Sequence, residues 1–201
     1  GIYDVQRDTA FDDSKYRSGG IRLFYQKTGG NLEGVKDGIL LEVGFDDVTP
    51  NYLRTISSWA YDFAAPKADI IDNRAVDVAC YHAGYTLVEK LQTISTKYRQ
   101  QQETGSFPVN FMRHYYDVYC LLQNVEVRKF IGTPDYLAHK ERRFRSSDNL
   151  VIAENAAFLL DNPDVRAQYA EAFKATRALY YKSQPEFDDI LAEIKKYIGI
   201  L

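Results

Sequence analysis

The feature that most constrains this chain is a change of hydrophobic period near Gly84. Before it, apolar residues recur at every second position, the spacing of strands with one packed face. After it they recur at every third and fourth position, the spacing of amphipathic helices. Ile21, Leu23 and Tyr25 share one face of a run from Ile21 to Lys27. Gly29, Gly30, Asn31 and Gly34 then make a loop. Ile39, Leu41, Val43 and Phe45 share one face of a run from Ile39 to Asp46, with Asp37-Gly38 as the turn before it. Tyr52 to Ser58 and Ala75 to Tyr81 read as two further strands, the second with Val76, Val78 and Cys80 in phase. Ala64 to Asn73 reads as a loop or short helix, and the charged first twenty residues as at most one short helix.

In the second half, Thr86 and Glu89 have the spacing of a capping box, followed by the stripe Leu87, Leu91, Ile94 and Tyr98. Gln100 to Gly105 breaks that helix. Phe107 to Asn124 predicts the next, with Phe111, Tyr115, Val118 and Leu122 on one side. Thr133-Pro134-Asp135 and Asn162-Pro163-Asp164 are two copies of one helix-start signal, a capping side chain followed by proline at the first helical position. A last helix is expected from about Glu186 to Ile198. The class is therefore α+β, a sheet region over residues 1–83 followed by a helical bundle over 84–201.

Composition excludes several classes. With 45% hydrophobic and 26% charged residues, the chain of 201 residues has an ordinary globular balance. A net charge of −3 gives no chain-wide attraction to nucleic acid or acidic membranes. No run approaches the ~20 apolar residues of a membrane span, and no signal pattern opens the chain. Two cysteines, Cys80 and Cys120, predict reduced, buried thiols in a cytoplasmic protein. The 16 tyrosines suit packing with a polar end as well as base stacking.

No phosphate-binding glycine loop, zinc spacing or HExxH is present, and His82, His114 and His139 form no recognisable triad. Glu42 lies mid-strand beside Leu40 and Leu41, where a carboxylate must be paired, metal-bound or on the solvent face. Asp46 follows on the same side, and Asp77 has the same status on its own strand. Lys90 sits beside the apolar stripe in the first turn after the predicted cap, where the helix dipole disfavours a cation. It reads either as a phosphate contact or as a snorkelling surface lysine. Arg113 and Asp117 have the spacing of an intrahelical ion pair, with His114 beside them. Lys140, Arg142, Arg143 and Arg145 form a basic run that reads as a solvated helix face or a nucleic-acid patch.

Taken in order, Ile39-Leu40-Leu41-Glu42-Val43-Gly44-Phe45, then Thr86-Leu87-Val88-Glu89-Lys90-Leu91, then Arg113-His114-Tyr115-Tyr116-Asp117-Val118 resemble the AbiEii/AbiGii nucleotidyltransferase-like toxins of bacterial toxin–antitoxin systems. The resemblance implies a polymerase-β-type nucleotidyltransferase sheet, transfer of a nucleotide from an NTP to an RNA acceptor such as tRNA, Mg²⁺, and a cognate antitoxin. It casts Glu42 as a metal-side carboxylate, Lys90 as the NTP-contacting lysine, Arg113 as a substrate contact and Asp117 as the acid of the last motif. His114 departs from the acid usual at its position. The family's opening G-S/T…D-x-D motif has no counterpart, since Phe11-Asp12-Asp13 is the nearest acidic pair. The expectation is a chain that lacks part of the metal site and is inactive alone. The competing expectation is a non-catalytic RNA- or protein-binding module that keeps the fold.

Overall fold

The computed structural model describes residues 1–30, 36–108, 110–180 and 183–201. Of the predicted loop, Asn31 and Gly34 lie outside these residues, as does Val109 of the predicted second helix. Contacts divide the chain into two units, Gly1–Asp47 with Ala175–Gln184, and Val48–Lys174 with Pro185–Leu201.

The first unit is built on an antiparallel sheet of β1 (Ile2–Arg7), β2 (Ser18–Tyr25) and β3 (Ile39–Gly44), in that order. The start of the chain is thus a strand and a 3₁₀ turn over Thr9–Phe11, not a helix. Alternating Ile2 to Arg7 finds its partner in β2, and long-range pairing prevails over weak helix propensity. Register puts Leu23 opposite Ile39 and Ile21 opposite Leu41, so the two predicted apolar faces form one. Gly38, at φ +85°, makes the predicted turn; a Cβ there would lie 2.7 Å from the Leu23 carbonyl oxygen. Phe11 and Leu40 press against Gly20 on the opposite face.

The second unit opens with the hairpin of β4 (Asn51–Ile56) and β5 (Ala75–Tyr81), which carries α1 (Trp59–Ala64) in its connection. Asp77 takes φ +56° at an irregularity in the pairing between Arg54 and Ile56. Val76 is left 67% exposed, so it does not share the half-buried setting of Val78 and Cys80.

Helix α2 (Ala83–Thr104) begins three residues before the predicted capping box. The cap is His82, whose Nδ1 accepts from the Gly84 N–H at 3.1 Å, while the Thr86 N–H is already used by the His82 carbonyl. The helix also runs through Gln100, ending where Gly105 turns left-handed at φ +71°. Leu87, Val88, Leu91 and Ile94 are fully buried and form its core stripe.

Around α2 stand α3 (Arg113–Gln123), α4 (Val125–Phe130), α5 (Pro134–Arg143), α6 (Ala156–Leu159), α7 (Pro163–Lys174) and α8 (Phe187–Tyr197). Helix α3 starts later than predicted, beyond Pro108. Thr133 caps α5 and Asn162 the start of α7, as the two proline signals require. Tyr115, Val118 and Leu122 of α3 pack inward with Phe187, Ile190, Leu191 and Ile194 of α8. Buried tyrosines place their hydroxyls on acceptors: Tyr115 on the Ala157 carbonyl at 2.7 Å, Tyr136 on the Leu201 carbonyl at 3.0 Å, and Tyr169 on the Gln101 side chain at 3.1 Å. Among the described residues no helix is long and apolar enough to cross a membrane.

Both cysteines are free. Cys80 is half-buried, but Cys120 is exposed, contrary to expectation. It follows Val118 by two positions on α3, which carries it round to the opposite side from the buried stripe.

Candidate functional site

Helices α2 and α3 pack side by side, and this packing brings two of the predicted residues together. The Lys90 ammonium lies 2.9 Å from Asp117 Oδ2. Lys90 is two turns into α2, not in its first turn, so the dipole at the helix start does not oppose it. His114 reaches the same carboxylate oxygen, with Nδ1 at 3.4 Å. Asp117 therefore gives its charge to Lys90 and His114 rather than to Arg113, which is exposed and makes no ion pair among the described residues.

Burial works against the charged form of Asp117. The hydrogen bonds from His114 and Lys90 outweigh it and hold the carboxyl below the usual range. Burial pushes the His114 imidazole down and keeps it neutral near pH 7 against the pull of Asp117. Sequence reasoning missed Lys97, one of the cations of this face. Lys97 follows Lys90 by seven residues, two turns on the same side of α2. Burial, then the charges of Arg113 and Lys90, lower its ammonium below the usual lysine range. The i, i+7 spacing was the available signal. Lys90 and Arg113 against the single carboxylate of Asp117 leave a cation over on this face, the arrangement that receives phosphate oxygens.

A second charged cluster centres on Glu89 of α2. Its carboxylate accepts from the Tyr81 hydroxyl at 3.1 Å, with His139 Nε2 at 3.5 Å and Arg143 at 3.8 Å. Arg142 meets His139 Nδ1 at 2.9 Å. Lys140 is buried on the Leu201 carbonyl oxygen. The basic run is therefore not a solvated patch as a whole, because three of its four cations are directed into intramolecular partners.

Glu42 belongs to the first unit. It is exposed, stands opposite Gly20 in the β2–β3 register, and makes no hydrogen bond or ion pair among the described residues. Asp46 lies beyond the end of β3. The nearby acids are committed elsewhere: Asp8 to Arg22 at 2.7 Å, Asp12 to Arg7 at 3.1 Å and Asp13 to Arg17 at 2.7 Å. Among the described residues no group of three His, Cys, Asp or Glu side chains is arranged to hold a metal ion. Mg²⁺ takes one or two carboxylates with open positions for phosphate, and two-ion transfer needs several. The described residues do not fit that demand.

No curated protein and no solved structure matches the chain. A family model described as "Nucleotidyl transferase AbiEii toxin, Type IV TA system" matches residues 2–193. That span takes in β3, α2 and α3. The chain belongs to the AbiEii nucleotidyl transferase toxin family of type IV toxin–antitoxin systems.

Proposed function

We propose that the α2–α3 face binds the phosphates of a nucleoside triphosphate through Lys90, Lys97 and Arg113. Asp117 and His114 fix where the Lys90 ammonium stands. The observation that carries this reading is the 2.9 Å pair between Lys90 and Asp117, two residues 27 positions apart that stand in separate segments of the sequence resemblance. A lysine held by a half-buried carboxylate is oriented before the ligand arrives, so less side-chain freedom is lost on binding. A triphosphate then takes the place of bulk water as the counter-charge to the excess cations.

In the reaction of the family, an acceptor hydroxyl oxygen attacks the α-phosphorus and pyrophosphate leaves with the broken P–O bond. The acceptor is RNA, such as tRNA, and the setting is cytoplasmic, with a cognate antitoxin as protein partner. Lys90, Lys97 and Arg113 would bind and orient the triphosphate. Glu42 is the acid offered to Mg²⁺, but its isolation leaves the metal-side donors short. We therefore expect NTP binding without efficient transfer by these 201 residues. The same shortage favours a second reading, a phosphate- and RNA-binding module that retains the fold.

Incubation with each radiolabelled NTP, Mg²⁺ and total RNA separates the two. The proposed outcome is binding of NTP and no label in RNA. Label transfer that disappears in Glu42→Gln would mean that Glu42 is completed by acids not assigned here.

A further inference from the structure

The second unit holds a pocket of about 500 Å³ that the α2–α3 face does not use. Its floor is one face of the β4–β5 hairpin. Tyr52 stands opposite Cys80 and Arg54 opposite Val78, and strand alternation puts all four side chains on that face. His82 and the start of α4, with Asn124, Glu126 and Val127, close the sides.

The chemistry of this lining is specific. Tyr52 is 50% exposed, and the His82 ring tilts against its ring with centroids 5.4 Å apart. The Arg54 guanidinium lies 5.7 Å from the Tyr52 centroid and makes no ion pair among the described residues. Asn124 uses its side-chain oxygen to accept from the Glu126 N–H at 2.9 Å, which leaves its NH₂ as a donor. Glu126, whose Oε1 accepts from the Lys129 ammonium at 3.2 Å, has its second carboxylate oxygen as an acceptor on the same wall. A flat aromatic surface, a guanidinium that makes no ion pair among the described residues, and one donor and one acceptor at the edge are the groups that stack a base, hold its phosphate and meet its hydrogen-bonding edge. The volume is within the range of small-ligand sites and suits one nucleotide.

We infer that this pocket binds one nucleotide of a single-stranded RNA, with the base on Tyr52 and the adjoining phosphate on Arg54. The inference deepens the proposed function, on which it rests for the identity of the strand as the acceptor. His82 opens α2 and Lys90 follows it by eight residues, about 12 Å along the axis.

The test is fluorescence anisotropy of the whole chain with a labelled RNA hexamer of mixed sequence, beside a separate NTP titration. Tyr52→Ala is expected to weaken hexamer binding about tenfold. Tyr52→Phe should retain it, and both should leave NTP affinity unchanged. Arg54→Ala should lower the slope of log affinity against log salt by about 0.7, the value of one phosphate contact on a single strand. Hexamer binding that ignores Tyr52→Ala and Arg54→Ala would overturn the inference whatever the NTP titration shows. So would a loss of NTP affinity in Tyr52→Ala with hexamer binding intact, which would give the pocket to the NTP base. Displacement of the hexamer by equal concentrations of AMP, CMP, GMP or UMP would assign the pocket to a free nucleotide instead of a strand. Loss of NTP binding in Lys90→Ala is read separately and bears only on the α2–α3 face.

Discussion

Lys90 and Asp117 meet at 2.9 Å with about a third of each side chain exposed. Partial exposure sets the scale of what their attraction contributes. Solvent screens such a pair, so its coupling is about 1 kcal/mol or less, and smaller at high salt. A double-mutant cycle of Lys90→Met and Asp117→Asn, read by urea denaturation, should give that coupling. A coupling indistinguishable from zero at low salt would mean that the pair contributes nothing measurable to the fold.

Gly84 leaves no room for a side chain. A Cβ there would come within 2.4 Å of the Phe130 ring and 2.9 Å of the His82 ring. Gly84→Ala should therefore destabilise by about 1–3 kcal/mol through overpacking, although alanine is the better helix former. Phe130→Leu in the same chain should recover part of the loss in melting temperature. An unchanged melting temperature for Gly84→Ala alone would contradict the packing of α4 on the start of α2.

Acid should weaken the second unit before it affects the carboxylates. His114 and His139 are both pushed below the ordinary histidine value of 6.5, chiefly by burial. Between each folded value and 6.5 the unfolded chain binds more protons than the folded one, so stability rises with pH. It is complete above about 6.5 and falls as pH drops through that window. Asp117, also lowered, adds a further loss only below the ordinary aspartate value of 3.8. His139 faces Glu89, Arg142 and Arg143, and His114 faces Asp117 and Lys90, so protonation at the two sites meets mixed charges. Melting temperature should fall between pH 7.5 and 5.5, and less so in a His114→Asn, His139→Asn double variant. Equal pH slopes in the two proteins would locate the dependence elsewhere.

Much of this arrangement was legible in the sequence because it follows from period. The face of Ile39, Leu41 and Val43, the Asp37-Gly38 turn, and the two proline-led helix starts need only local rules. Boundaries that depend on tertiary partners were not legible. His82 caps α2 because Gly84 admits Phe130 beside it, and Phe130 is 46 residues away. The motif order marked Lys90 and Asp117, and helix packing turned them into a pair. Lys97 was hidden because its i, i+7 spacing from Lys90 takes on meaning only once α3 places Arg113 near both. The basic run was misleading because composition records charge but not direction. Lys140 points into the interior, onto the Leu201 carbonyl, and not into solvent.

The most direct test of the account is isothermal titration of the wild-type chain and of Lys90→Ala with ATP, CTP, GTP and UTP, at low salt, with and without Mg²⁺. A lysine oriented by Asp117 that contacts triphosphate oxygens contributes roughly 1.5–3 kcal/mol as a charge-assisted hydrogen bond. At least one NTP should therefore bind the wild type, and its affinity should fall at least tenfold in Lys90→Ala, with melting temperature little changed. Equal affinity in the two proteins, or no NTP binding by the wild type under any of these conditions, would contradict it.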